Sequence, residues 1–145
     1  MTRFLYDTAV FLYAIGGAHP YRAPCRSVLE RAEGSRIEGD ASADLVQEVL
    51  HHRFRRTGDR SRAAREARDA AAACRLHEVR PEDVQRALDL FAGAQRLSAR
   101  DAVFAAVALN RGIGAILSPD KAFDEVPGLA RVDPADREAA AALYA

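Results

Sequence analysis

The stretch from Leu97 to Asp124, LSARDAVFAAVALNRGIGAILSPDKAFD, constrains the fold more than any other part of this chain. From Ala102 to Leu109 it is apolar on every side of a helical wheel, so the helix has to be buried all round. Gly112 and Gly114 stop it, and Ala115-Ile116-Leu117 follows as a short apolar run between turn residues. That is the pattern of a buried parallel strand. Ser98 reads as the helix N-cap, with Asp101 three residues on in the capping-box position. Ser118-Pro119 ends the strand, and Asp120 comes at once. One acid therefore stands at the mouth of a buried helix and another just past the C-terminal end of a buried strand. In open α/β sheets ligands bind at that edge. Capping and dipole energy, about 1 kcal/mol, accounts for Asp101 alone. It is a weaker account if more acids reach the same edge.

More do. Phe4-Leu5-Tyr6 is a short β-prone run, Asp7 follows it, and Thr8 to Ile15 reads as an apolar helix stopped by Gly16-Gly17. Asp7 thus leaves a strand as Asp120 does, although taken alone it is better explained as an N-cap. His19-Pro20 opens a second helix with Val28, Leu29 and Ala32 inward, ending at Glu33-Gly34-Ser35. His19 reads as an exposed loop residue. Arg36 to Ala41 is a strand by position, though polar and interrupted by Gly39. Ser42 is then expected to cap a helix running to about Arg56. Leu45, Val49, Val46 and Leu50 span an arc of roughly 140° on its wheel, and Glu48 lies about 60° outside it. Glu48 is therefore at the border of the buried face. His52, one turn on, could touch it, but His51 and His52 lack metal-ligand spacing and read as supporting or surface residues.

Residues 51–68 carry seven arginines against two acids, the strongest charge patch in the chain. Lys121 is the only lysine, so basic contacts must come from arginine. The patch, with Arg53, Arg56 and Arg60 foremost, reads either as a solvated ion-paired face or as a surface for phosphates or an acidic partner. From Asp59 an Ala/Arg helix runs to about Cys74, thin in large apolar residues and suggestive of packing on another chain. Leu76 to Val79 is read as a strand. Pro81-Glu82-Asp83 starts a helix with an inner stripe of Val84, Ala87, Leu88 and Phe91. Val126 to Val132 closes as an edge strand. An Ala-rich C-terminal helix spans about 134–145, expected to be a lid or an oligomer contact.

The 145 residues suffice for one domain, 1–145, with a helical clip at about 43–75. Net charge is zero, so no global field draws the chain to nucleic acid. No apolar run is long enough to span a membrane, no signal peptide is recognisable, and Cys25 and Cys74 read as reduced thiols. A cytoplasmic location with no membrane role is the expectation. Strands alternating with helices imply a mostly parallel sheet with helices on both faces. Four carboxylates, Asp7, Glu48, Asp101 and Asp120, gathered without local cations would repel one another by several kcal/mol. A divalent ion resolves that cost, and all-oxygen ligands select Mg²⁺ or Mn²⁺. Such a site suits phosphodiester cleavage.

LYDTAVFL, ADLVQEVLHHR, LSARDAVFAAVAL and ILSPDKAFDEVPGL together resemble the PIN-domain ribonucleases, and among them the VapC-type toxins of VapBC toxin–antitoxin pairs. The resemblance implies a PIN-like α/β/α sandwich and metal-dependent endonucleolytic cleavage of RNA of the tRNA or rRNA class. Asp7, Glu48, Asp101 and Asp120 match the family's acidic positions, and Asp124 matches an acid that often follows the fourth. Thr8 and Ser98 are candidates to contact a phosphate or water. A VapB-type antitoxin and a homodimer are implied as partners. Two rivals stay open. One is a haloacid-dehalogenase-like phosphatase, which needs a second Asp where this chain has Ala9. The other is a non-catalytic RNA- or partner-binding module whose acids only cap helices.

Overall fold

The computed structural model describes residues 3–34 and 38–145. The expected helix end at Ser35 and strand start at Arg36 and Ile37 lie outside the described residues. Five parallel strands form one sheet: β1 (Leu5–Tyr6), β2 (Gly39–Ser42), β3 (Cys74–His77), β4 (Ala115–Leu117) and β5 (Ala130–Val132), in the order β3-β2-β1-β4-β5. Around it lie α1 (Thr8–Ile15), α2 (Arg22–Gly34), α3 (Asp44–Thr57), α4 (Arg60–Ala72), α5 (Pro81–Gly93), α6 (Ala99–Asn110) and α7 (Arg137–Ala142). A 3₁₀ turn spans Lys121–Glu125. The strand order reverses at β1, which pairs with β2 on one side and β4 on the other. That reversal opens a crevice at the C-terminal ends of β1 and β4. Asp7 and Asp120 stand at this edge, and the Asp7 amide donates to the Leu117 carbonyl at 3.1 Å.

The core follows the apolar pattern of α6 and β4. Phe104 to Ala108 on α6 and Ile116-Leu117 on β4 are fully buried. The polar second strand is also buried along its whole length and ends one residue later than its sequence suggested. It can be, because its polar groups are paired. Asp40 accepts from Arg3 Nη2 at 3.1 Å and lies 2.7 Å from His77 Nε2, and Ser42 Oγ donates to Asp44. Gly39 is required there, since a Cβ would stand 2.1 Å from Tyr6 Cε2. Ser42 belongs to the strand and does not cap α3, whose first turn is preceded by Ala43 with no side-chain cap.

Four further expectations change. The face of α4 that sequence reading assigned to another chain packs on α3 through Ala63, Ala67 and Ala70. On α5 the buried residues are Asp83 and Ala87, with Leu90 and Ala94 half-buried, so the helix is rotated from the expected stripe. Val84, Leu88 and Phe91 are 43%, 59% and 50% exposed. The cause is polar: Asp83 accepts from Arg111 at 2.8 and 2.9 Å, from Asn110 at 2.8 Å and from the Arg80 amide at 2.8 Å. That network ties the start of α5 to the end of α6, and breaking it would leave a buried charge unpaired. β3 starts at Cys74, not Leu76. The C-terminal helix is shorter than expected and is no lid. Leu143 is buried, and Tyr144 meets Phe4 edge-on with its hydroxyl 3.3 Å from that of Tyr6. Cys25 and Cys74 are free thiols. Among the described residues no helix is long and apolar enough to cross a membrane.

Candidate active site

At the switch point a cavity of about 440 Å³ is lined by Asp7, Thr8, Glu48, Ser98, Asp101 and Asp120, together with Leu12, Tyr13, Tyr21 and Arg100. Acids from α3, α6 and the ends of two strands thus line one depression, although they are up to 113 positions apart in the chain. Each is placed by a local reason. Asp7 precedes α1 but makes no side-chain cap bond to it, so capping does not account for this buried acid. Its Oδ2 accepts instead from Ser118 Oγ at 2.6 Å. Ser98 does cap α6, accepting from the Asp101 amide at 3.1 Å, and so sets Asp101 at the mouth of that helix. Asp120 Oδ1 caps the 3₁₀ turn by accepting from the Ala122 amide at 2.9 Å. On α3 the buried arc comprises Leu45, Val49 and Arg53, which leaves Glu48 at its border and Leu50 exposed. Glu48 accepts from Thr8 Oγ1 at 2.8 Å and from Arg100 Nη1 at 3.2 Å.

Two of these residues were not singled out from sequence as site residues. Ser118 is fully buried, donates to Asp7 and accepts from the Asp120 amide at 3.0 Å, so it ties two of the acids together. Arg100 brings a cation to a cluster expected to have none. His52 is not the partner of Glu48; Thr8 and Arg100 are. Asp124 lies outside the cavity lining and holds Arg131 at 3.0 Å, and Arg131 donates to the Ser118 carbonyl at 3.2 Å. Of the arginines expected to meet RNA or an antitoxin, Arg53 is buried against Glu66, Arg60 lies 4.8 Å over the Phe54 ring, and Arg56 is exposed.

The electrostatics carry a clear signature. Burial, reinforced by the negative charge of Asp101, pushes the Asp7 carboxyl up from 3.8 to about 7, against the lowering effect of Ser118. Burial, with Asp120 and Glu48 adding to it, pushes Asp101 up to about 6, although its bond with Ser98 pulls the other way. Without a counter-charge Asp7 and Asp101 therefore hold protons that ordinary carboxylates release. A hard divalent cation is the counter-charge this donor set fits, since every donor is a carboxylate oxygen. Among the described residues no three of these side chains already converge at ligand geometry. Glu48 is turned to Thr8 and Arg100, and Asp120 to its own turn, so binding requires side-chain rotation. A larger cavity lies elsewhere: about 860 Å³ between α2 and α4, with Tyr6, Phe11, Ile15 and Leu29 among its apolar lining.

Comparison with known proteins bears on the fold and the family. A model of the PIN domain matches residues 4–129. "Ribonuclease VapC7" of Mycobacterium tuberculosis is 38% identical over 130 residues, spanning 88% of this chain and 89% of that protein. VapBC2 from Rickettsia felis, solved bound to a DNA fragment from its promoter, superposes with a TM-score of 0.70 at 12% identity, covering 91% of this chain and 98% of the other. Mycobacterium tuberculosis VapC20, described as a sarcin-ricin loop cleaving toxin, superposes with a TM-score of 0.68 at 20% identity, covering 83% and 92%.

Proposed function

This chain belongs to the PIN-domain family and, within it, to the VapC ribonucleases, and from that premise we propose that it is the toxin of a type II toxin–antitoxin pair, hydrolysing RNA at Asp7, Glu48, Asp101 and Asp120 with Mg²⁺ or Mn²⁺. The observation that carries this reading is that these acids line one cavity at the switch point, with Asp7 buried and its side chain capping no helix. Asp7 and Asp101 would hold the divalent ion, and Glu48 and Asp120 would complete its surroundings. When bound, such an ion polarises a phosphoryl oxygen and lowers the pKa of a coordinated water. Glu48, steadied by Thr8, accepts the proton of the attacking water. Arg100, more than half exposed at the rim, meets the phosphate charge. Ser118 keeps Asp7 oriented, and Ser98 keeps Asp101 oriented. Ala9 lines the cavity where a haloacid-dehalogenase-like phosphatase would need an acid, which disfavours that rival.

The partners follow from two further surfaces. A VapB-type antitoxin occupies the groove between α2 and α4, whose apolar lining suits an amphipathic segment and whose acids Glu30, Glu33, Glu38 and Asp69 suit basic flanks. A second copy of the chain covers Val84, Leu88 and Phe91 on α5, an apolar stripe open to solvent in the single chain. The test of the central reading is RNase activity of purified protein with added Mg²⁺. Asp7→Asn and Asp101→Asn each reduce it at least about a hundredfold, and a chelator abolishes it in the unaltered chain. Full chelator-sensitive activity in either variant would remove that residue from the site.

A further inference from the structure

Beside the acidic cavity lies a second, smaller one of about 280 Å³, lined by Leu12, Tyr13, Gly17, His19, His52 and Arg56 among others. Leu12 and Tyr13 belong to both linings, so the two depressions share a wall. On that wall three aromatic rings lie almost parallel. Tyr13 and His19 have centroids 4.4 Å apart at 25°, Tyr13 and Tyr21 5.5 Å apart at 27°, and His19 and Tyr21 6.1 Å apart at 22°. Tyr21 is fixed by donating from its hydroxyl to Asp133 Oδ2 at 2.9 Å, and the Tyr21 amide donates to His19 Nδ1 at 3.1 Å. His19 is exposed, and the two tyrosines are half-buried. Rings stacked on one another in nearly parallel planes, with an exposed member and a cavity on each side, make a stacking surface and not core filling. Arg56, exposed and in no ion pair among the described residues, supplies positive charge at its far side, with His52 beside it.

We propose that Tyr13, His19 and Tyr21 form a nucleobase-stacking platform and that Arg56 and His52 hold the following phosphate. Together they make a subsite for single-stranded RNA running from the acids into the second cavity. This rests on the ribonuclease reading above. The chemistry is that of sequence-tolerant single-strand binding, in which aromatic faces take bases and cations track the backbone. It implies that the enzyme engages an unpaired nucleotide next to the scissile phosphate, because a base stacked on the platform cannot also be stacked in a duplex.

The test is fluorescence anisotropy of a short, unstructured, fluorescein-labelled oligoribonucleotide with the full chain in EDTA, which stops cleavage, across a salt titration. Stacking of one base corresponds to a loss of about tenfold in affinity for Tyr13→Ala and a smaller loss for the exposed His19→Ala, with no change in salt slope. Arg56→Ala lowers the slope by about 0.7, the value for one phosphate contact on a single strand. Tyr13→Trp keeps near-normal affinity, which separates stacking from folding defects. An oligonucleotide abasic throughout binds the unaltered chain and Tyr13→Ala equally. Binding of both the Tyr13→Ala and His19→Ala variants as tightly as the unaltered chain overturns the subsite. So does an equal loss on the abasic probe, or a loss that appears only when the cognate antitoxin replaces RNA. If the folded, unaltered chain cleaves RNA and the platform variants bind normally, only the subsite fails. If it neither binds nor cleaves RNA, the ribonuclease reading fails with it.

Discussion

Replacing Asp7 by Asn should abolish activity and at the same time stabilise the metal-free protein. Asp7 is 5% exposed, and burial together with Asp101 raises its carboxyl from 3.8 to about 7. A carboxyl whose folded-state value lies above its unfolded value binds more protons in the folded chain. The stability it contributes is complete below the unfolded value, declines as pH rises between about 3.8 and about 7, and is gone above that window. A span of about three pH units at about 1.4 kcal/mol each sets the upper limit near 4 kcal/mol. Asn carries no charge, and its amide oxygen can still accept from Ser118, so most of this is recovered: about 3 kcal/mol at pH 8, or roughly 10 °C in Tm. Calorimetric melting in EDTA between pH 4 and pH 9 is the assay. The gap between variant and unaltered chain should open through the window and then level off. Adding Mg²⁺ should raise the Tm of the unaltered chain and leave Asp7→Asn nearly unmoved. A variant less stable than the unaltered chain at pH 8 in EDTA would refute the repulsion argument.

Asp83→Ala should cost about 3 kcal/mol in urea unfolding, because it leaves Arg111 without its buried partner. The Arg111 guanidinium holds the Asp83 carboxyl well below the usual range, so its contribution is present above the unfolded value near 3.8 and lost as pH falls below it. Ser118→Ala should move the acidic limb of the pH–activity profile to higher pH, since Ser118 is what lowers Asp7, and destabilise the fold by about 1 kcal/mol. Leu88→Glu with Phe91→Asp should yield a folded monomer by light scattering, and the unaltered chain should run as a dimer. Gly39→Ala should destabilise by about 2 kcal/mol or more in the same unfolding assay, since its methyl has to displace the Tyr6 ring.

Three of the acids lining the cavity were legible because each sits where a change of hydrophobic period marks a strand end or helix start. Asp7 and Asp120 follow short apolar runs, and Asp101 follows a cap. Glu48 was legible from the wheel of α3, although the buried arc includes Arg53 and leaves Leu50 out. What escaped depended on pairing between distant residues. The rotation of α5 is set by Asp83 meeting Arg111, 28 positions away, and the hydrophobic stripe beside it gave the opposite orientation. The polarity of the second strand had no explanation in the sequence, because its partners, Arg3 and His77, lie far from it. Ser118 read as a strand stop before Pro119, and nothing local indicates that its hydroxyl points at Asp7. Arg100 occupies an exposed helical position whose target is on another helix.

The central claim is that acids from four parts of the chain share one divalent ion. Anomalous diffraction at the manganese edge from crystals grown with Mn²⁺ tests it most directly. The account predicts a peak bonded to carboxylate oxygens of Asp7 and Asp101, with Glu48 or Asp120 turned toward it and away from the contacts described above. A peak elsewhere, or none in crystals of protein whose RNase activity survives chelation, would contradict it.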